Sequence, residues 1–191
     1  MVGTIDDFRA QLVGGGARSN QFKIEINNPP VSAGISPALS RNASFLCTAA
    51  SLPGSSIEEI ELPFRGRTIR IAGDRDFADA WEVTFLNDTN FALRNAIETW
   101  SNNINDLATG QGVADSRAYC ADLKVYQLSR DDTVLKAYQF VNAWPQAIAA
   151  IELASASANE IESFSVTWRY QHFITNAIEG AGFSGDITLT A

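Results

Sequence analysis

Within residues 160–172 the chain carries a run of strict alternation: Phe164, Val166, Trp168 and Tyr170 interleave with Ser163, Ser165, Thr167 and Arg169. Side chains two apart on an extended strand point the same way, so this pattern makes one face apolar and the other small and polar. A helix would scatter the same aromatics around its circumference. The segment therefore predicts a half-buried strand, and such a strand needs a second layer to cover its apolar face. The same period recurs in residues 21–26, with Phe22, Ile24 and Ile26 opposed to Lys23 and Glu25. It recurs again in residues 80–86, with Trp81, Val83 and Phe85 opposed to Glu82 and Thr84.

Other segments fill in around these strands. Thr4 with Asp7 reads as an N-cap followed by an acid at the third helical position. The short helix 5–13 gathers Ile5, Phe8 and Leu12 roughly on one side, and Gly14-Gly15-Gly16 ends it with a flexible hinge. Packing on its own domain and docking on a neighbour are both open to such a helix. Residues 27–42 read as a long loop and 44–49 as a short strand with Phe45 and Cys47 on one face. Strands 57–62 and 68–72 form a hairpin with a basic tip at Arg65–Arg67, and a charged turn at 73–79 follows. Residues 87–90 cap a helix over 91–104, whose apolar positions Leu93, Ala96, Ile97, Trp100 and Ile104 keep helical spacing. A loop over 105–119 leads to strands 122–128, 134–143 and 147–153. Residues 129–132 turn between the first two, and Trp144-Pro145 interrupts the second. The segment 173–191 is weakly patterned, with one further strand near 187–189.

Eight or nine strands against one long helix, with no regular strand–helix alternation, predict a mainly β fold. The expected form is an antiparallel β-sandwich or barrel with one flanking α-helix and a short N-terminal helix. A length of 191 residues suits a single domain, with 1–20 as helix and hinge and 173–191 as a C-terminal extension.

Composition narrows the function. With 22 acids against 14 bases the net charge is −8, which disfavours a protein that grips nucleic acid through a basic footprint. The opening residues lack the basic and apolar segments of a signal peptide, and no apolar run approaches the ~18 residues of a membrane span. A cytoplasmically made protein with no membrane partner is expected, its Cys47 and Cys120 buried and reduced. Catalytic patterns are missing. His172 is the single histidine and no GxSxG elbow accompanies it, so a serine triad is not supported. One histidine and two scattered cysteines cannot close a tetrahedral metal shell. Asp74, Asp76 and Asp79 lack EF-hand spacing, and Arg75 among them repels a cation. No cofactor is expected.

Two groups of residues remain as candidates. Asp74, Arg75, Asp76 and Asp79 pack four charges that could cross-pair with one another or with a neighbouring chain, and Phe64, Arg65 and Arg67 sit at the hairpin tip. Glu59 and Glu61 on the hairpin, Glu82 and Thr84, and Ser163, Ser165 and Thr167 oppose apolar faces. They suit either a sandwich with its back to bulk water or a surface lining an aqueous channel built by several copies.

Several stretches, in order, resemble the tail tube proteins of contractile-tailed, T4-like bacteriophages. They are the helix with Phe8-Arg9-Ala10 leading through Arg18-Ser-Asn-Gln-Phe22; Cys47-Thr-Ala-Ala-Ser-Leu-Pro53; Ile71-Ala-Gly-Asp-Arg-Asp-Phe77 with Trp81-Glu-Val-Thr-Phe-Leu-Asn-Asp88; and Ala143-Trp-Pro145 with Asn159-Glu-Ile-Glu-Ser-Phe-Ser-Val166. The resemblance spans residues 5 to 170. It implies a non-enzymatic virion protein that forms stacked hexameric rings, assembled in the host cytoplasm. Expected partners are other copies of the chain, a tail sheath protein, and baseplate and tail terminator proteins, while DNA passes the lumen without specific binding. By the same resemblance the hairpin tip and the 73–79 turn would meet neighbouring subunits. Six copies at −8 would carry about −48, so passing phosphates would meet no adhesive surface. Two alternatives stay open: the tube of a related injection machine of type VI secretion or tailocin kind, and a carbohydrate-binding β-sandwich or small hydrolase. The latter predicts a soluble monomer with an aromatic or catalytic cleft.

Overall fold

The computed structural model describes residues 4–12, 16–154 and 160–176. In chain order its elements are α1 (Ile5–Gln11), β1 (Phe22–Asn27), α2 (Pro37–Leu46), β2 (Cys47–Ala50), β3 (Ser56–Phe64), β4 (Arg67–Asp76), β5 (Trp81–Leu86), α3 (Ala92–Ile104), β6 (Ala121–Leu128), β7 (Val134–Ile148), β8 (Ser163–Arg169) and β9 (His172–Thr175). Seven strands pair antiparallel in the order β1-β6-β7-β8-β5-β2, with β9 also on β7. The remaining two, β3 and β4, form a separate two-stranded sheet. The mainly β, antiparallel reading of the sequence holds.

β7 makes this a folded-over arrangement. Its first part pairs with β6 and β9, whereas Trp144–Ile148 pairs with β8. The passage lies at Asn142, whose φ of 54° is left-handed, a conformation asparagine tolerates better than most residues. The Asp122 carboxylate accepts the Asn142 amide at 3.2 Å and holds the bend. The two halves thus face each other, and Trp81 of one stacks on Phe140 of the other at 4.4 Å. α3 closes the core with Leu93, Ala96, Ile97 and Trp100, the last 5.4 Å from Trp168. Full burial of Leu93 and of Ile97 contributes roughly 1.5–3 kcal/mol each. The indoles of Trp81 and Trp100 donate to the carbonyls of Ser51 and Tyr119, each at 2.7 Å, so neither enters the core unpaired.

Four sequence expectations change. Residues 27–42 are not one loop: Ser36 caps α2 by accepting the Leu39 amide, and Pro37 occupies the first turn, where its missing N–H costs nothing. The 44–49 strand shrinks accordingly, because Phe45 and Leu46 finish α2 and only Cys47–Ala50 is extended. Trp144-Pro145 does not interrupt β7, since beyond Ala143 this strand pairs only with β8 and its outer edge needs no donor. The 160–172 strand is two strands, because the chain turns at Tyr170-Gln171 and β9 crosses to β7. The hairpin turn at 129–132 and the 87–90 cap are present: Ser129 N–H donates to the Thr133 carbonyl, and Asp88 accepts the Ala92 amide at 2.9 Å. The strand expected near 187–189, most of the glycine hinge and Val13 lie outside the described residues.

Candidate functional site

Among the described residues, β3 and β4 form an arm against which no other element packs extensively. Nine residues of strand extend it by roughly 30 Å. Residues opposite each other across the ladder share a face, and the register pairs Ile60 with Ile71, Leu62 with Ile69, and Phe64 with Arg67. One face is therefore an apolar row ending in a basic tip. All five apolar side chains of that row are between 46% and 58% exposed. The opposite face pairs Glu59 with Ala72 and Glu61 with Arg70. There the Arg70 guanidinium bridges both carboxylates, at 3.3 Å to Glu59 and 3.1 Å to Glu61. At the tip Arg65 lies over the Phe64 ring, 5.4 Å from its centroid, and the Arg65 and Gly66 backbones both take positive φ to close the turn.

Only the base of the arm is fixed. Between Ile57 and Glu59 the ladder slips, and the extra residue on β4 includes Gly73. A Cβ there would lie 3.0 Å from the Glu58 carbonyl oxygen, so any side chain requires that backbone to give by a few tenths of an ångström. Arg75 donates to the Ser55 hydroxyl, and Arg169 donates to the Ala78 carbonyl and, at 2.8 Å, to Gln146. Phe77 meets Phe173 edge-on at 5.6 Å and His172 at 6.5 Å. These contacts tie the arm to β7, β8 and β9, and the rest projects.

The charged stretch 73–79 is consequently not a turn. Gly73 to Asp76 complete β4, because their partners on β3 continue the ladder to Ser56, and only residues 77–80 leave it. Among the described residues none of Asp74, Asp76 and Asp79 forms an ion pair with Arg75. The Asp76 carboxylate instead accepts the Ala78 amide at 2.8 Å. Asp79 and burial together push the Tyr170 hydroxyl above its ordinary pKa, burial acting more strongly. The tip residues Phe64, Arg65 and Arg67 and the root residues Asp74, Arg75 and Asp76 thus occupy opposite ends of one ribbon.

The polar alternates divide. Glu82 opposes Thr167, Thr84 opposes Ser165, and Leu86 opposes Ser163. The strands carrying them bury Trp81, Val83, Phe85, Phe164, Val166 and Trp168 on the other side. Glu82, Thr84, Ser163, Ser165 and Thr167 therefore share one polar surface of the β5–β8 pair. Glu59 and Glu61 belong to the arm.

Reactive groups are poorly disposed for chemistry. Cys47 and Cys120 are free but half-buried rather than buried. Burial pushes the Cys47 thiol from its ordinary 9.0 up to about 11, and burial with nearby Asp122 raises Cys120. Thiols so shifted are weak nucleophiles at neutral pH. His172 opens β9 and is exposed. Among the described residues no three His, Cys, Asp or Glu side chains gather closely enough to hold a metal ion.

Apart from Phe64, the apolar row of the arm was missing from the sequence candidates, although Ile60, Leu62, Ile69 and Ile71 carry the period-2 signal. What the alternation could not show is that no described residue covers that face. The same holds for α1, whose capping box with Thr4 and Asp7 forms as expected while Ile5 stays 80%, Phe8 66% and Leu12 44% exposed.

Residues 17–176 match the family described as phage tail tube protein. The chain is 35% identical over 169 residues to tail tube protein gp19 of Enterobacteria phage T4, covering 85% of this chain and 94% of that protein. It is 28% identical to the tail tube protein of Serratia phage KSP90, over 87% of this chain and 94% of the relative. Among solved structures, the anti-feeding prophage tube terminating cap shares the fold at a TM-score of 0.57 and 18% identity, over 84% of this chain and 90% of that one. The sheath-tube complex of an extracellular contractile injection system in its extended state shares it at 0.53 and 15%, over 88% and 97%.

Proposed function

Because this chain belongs to the phage tail tube protein family, we propose that it is a non-enzymatic structural protein of the virion whose copies form stacked hexameric rings inside a contractile tail. The observation that carries this reading is the 35% identity to the T4 tail tube protein over nearly the whole of both chains. The arm supports it independently. A lone two-stranded ribbon is marginally stable at best in water, so one with an apolar face and two open edges needs a partner. Head-to-tail contacts between copies provide one, and they close into a ring when the rotation between subunits permits.

In this reading Phe64, Arg65, Arg67, Asp74, Arg75, Asp76 and Asp79 meet neighbouring subunits. The polar surface of Glu82, Thr84, Ser163, Ser165 and Thr167, with Glu59 and Glu61, lines the lumen. Hydroxyls and carboxylates dominate these surfaces, and the cations among them are already engaged, Arg70 with Glu59 and Glu61 and Arg169 with Gln146, so phosphates meet no adhesive basic patch and DNA transits without specific binding. The sheath, baseplate and terminator proteins of the tail complete the list of partners, and assembly takes place in the host cytoplasm.

Negative-stain electron microscopy of the purified protein tests this. Rings of six-fold symmetry, or tubes with a central hole, are the expected result. A monodisperse monomer at every concentration, with baseplate components added, would refute it.

A further inference from the structure

Among the described residues, two uncovered apolar surfaces match each other. α1 buries none of its residues, and it presents Ile5, Phe8 and Leu12 to solvent. The arm presents Ile60, Leu62, Ile69 and Ile71 on one face. Within one chain both stay exposed although both are fully formed.

We infer that α1 of one copy lies along the apolar face of the β3–β4 arm of a neighbouring copy. The inference rests on the tube reading above and adds to it which surface meets which.

Dimensions agree first. At 1.5 Å per residue the stripe from Ile5 to Leu12 is about 10 Å long. The row from Ile60 to Phe64, at ~3.4 Å per residue, is about 14 Å long, so the stripe fits within it. The neighbouring strand, ~4.8 Å away, adds Ile69 and Ile71 and makes the row wide enough to flank a helix on both sides.

Charge then fixes the direction. The first turn of α1 carries Asp6 and Asp7, and Thr4 hydrogen bonds hold the Asp7 carboxyl below the usual carboxylate range, so it stays ionised. The apolar row ends in Arg65 and Arg67, whereas Arg70 is engaged with Glu59 and Glu61 on the other face. The acidic helix start therefore lies toward the tip, and Leu12 toward Ile60 and Ile71. Each copy offers one surface of each kind, so the contact is heterologous and propagates from copy to copy.

Cross-linking tests the pairing. Leu12→Cys and Ile71→Cys variants are prepared separately, each with Cys47 and Cys120 replaced by serine, and their folds are checked by circular dichroism. They are then co-assembled and treated with a short bismaleimide. Ala72→Cys, one residue away on the opposite face, replaces Ile71→Cys as the control. The expected result is covalent dimer in the assembled fraction at least tenfold above the control. Phe8→Asp, which touches no core residue, should keep the wild-type spectrum and lower the assembled fraction at least tenfold. If rings form but dimer stays at control level and Phe8→Asp assembles normally, the pairing is wrong and the tube reading stands. A cross-link within one chain of the Leu12→Cys, Ile71→Cys double variant, without dimer, also overturns it. If the wild-type chain never assembles, both readings fall.

Discussion

Gly73→Val separates what the arm does from what the core does. A Cβ at this position meets the Glu58 carbonyl oxygen at 3.0 Å and Ile60 Cγ1 at 3.2 Å, and valine adds two methyl groups to that conflict. The oxygen belongs to backbone at the ladder slip between Ile57 and Glu59, so relief requires the two strands to part there. Overpacking of this kind costs about 1–3 kcal/mol. A free hairpin holds little stability of its own, so about 2 kcal/mol shifts its opening equilibrium roughly 30-fold. No residue of β3 or β4 belongs to the buried core, and global unfolding should not register the change. Expected outcomes are a melting temperature within about 1 °C of wild type, by calorimetry, and amide exchange at Leu62 and Ile69 faster by about 10–30-fold. The ring yield in negative stain should fall with it. Were the arm coupled to the core, the same 2 kcal/mol would lower the melting temperature by about 4–8 °C for a chain of this size. A drop of that size with arm protection intact would refute the reasoning.

Two further predictions concern charge. Arg75→Glu should leave the circular dichroism spectrum unchanged, because Arg75 is exposed and among the described residues donates only to the Ser55 hydroxyl, but should weaken ring formation or stacking. Loss of folded signal would instead make the 74–76 stretch an internal brace. Cys47 should label slowly with iodoacetamide at pH 7. Because the native thiol holds its proton to about pH 11 against an ordinary 9.0, its contribution to stability is intact below pH 9 and is lost between pH 9 and 11. Denaturant titrations at pH 8 and pH 10.5 should therefore diverge less in Cys47→Ser than in wild type, and equal divergence would contradict the burial argument.

Strand faces were legible because alternation sorts side chains to opposite faces, and in the core strands the apolar face is the buried one, as for Trp81, Val83 and Phe85. α3 was legible for the same reason at period 3.6. α2 was harder to see. It buries only Ala43, so its apolar pattern is weak, and the signal that it exists is the Ser36-Pro37 cap rather than any periodicity. Pro145 misled because proline interrupts a strand only where a ladder donor is needed. The course of β7 was invisible because it depends on a left-handed Asn142 and on which strands the two ends find. At the candidate site, sequence identified the arm, its tip and its charged root. It missed that Gly73 to Asp76 extend the ladder, since a one-residue slip leaves no mark in composition. The co-facial set on β5 and β8 was readable from parity, whereas the isolation of the arm is a property of tertiary packing.

β7 has a mechanical consequence. One continuous stretch of backbone from Val134 to Ile148 belongs to both halves of the fold. A pull applied through β8 is therefore handed to β6 and β9 along covalent bonds, and the two halves cannot shear past each other without straightening the Asn142 bend. In the proposed tube, axial load would meet each chain as one stiff link. Yielding would then fall to the joints between copies, where contacts could break and reform without harm to the subunit.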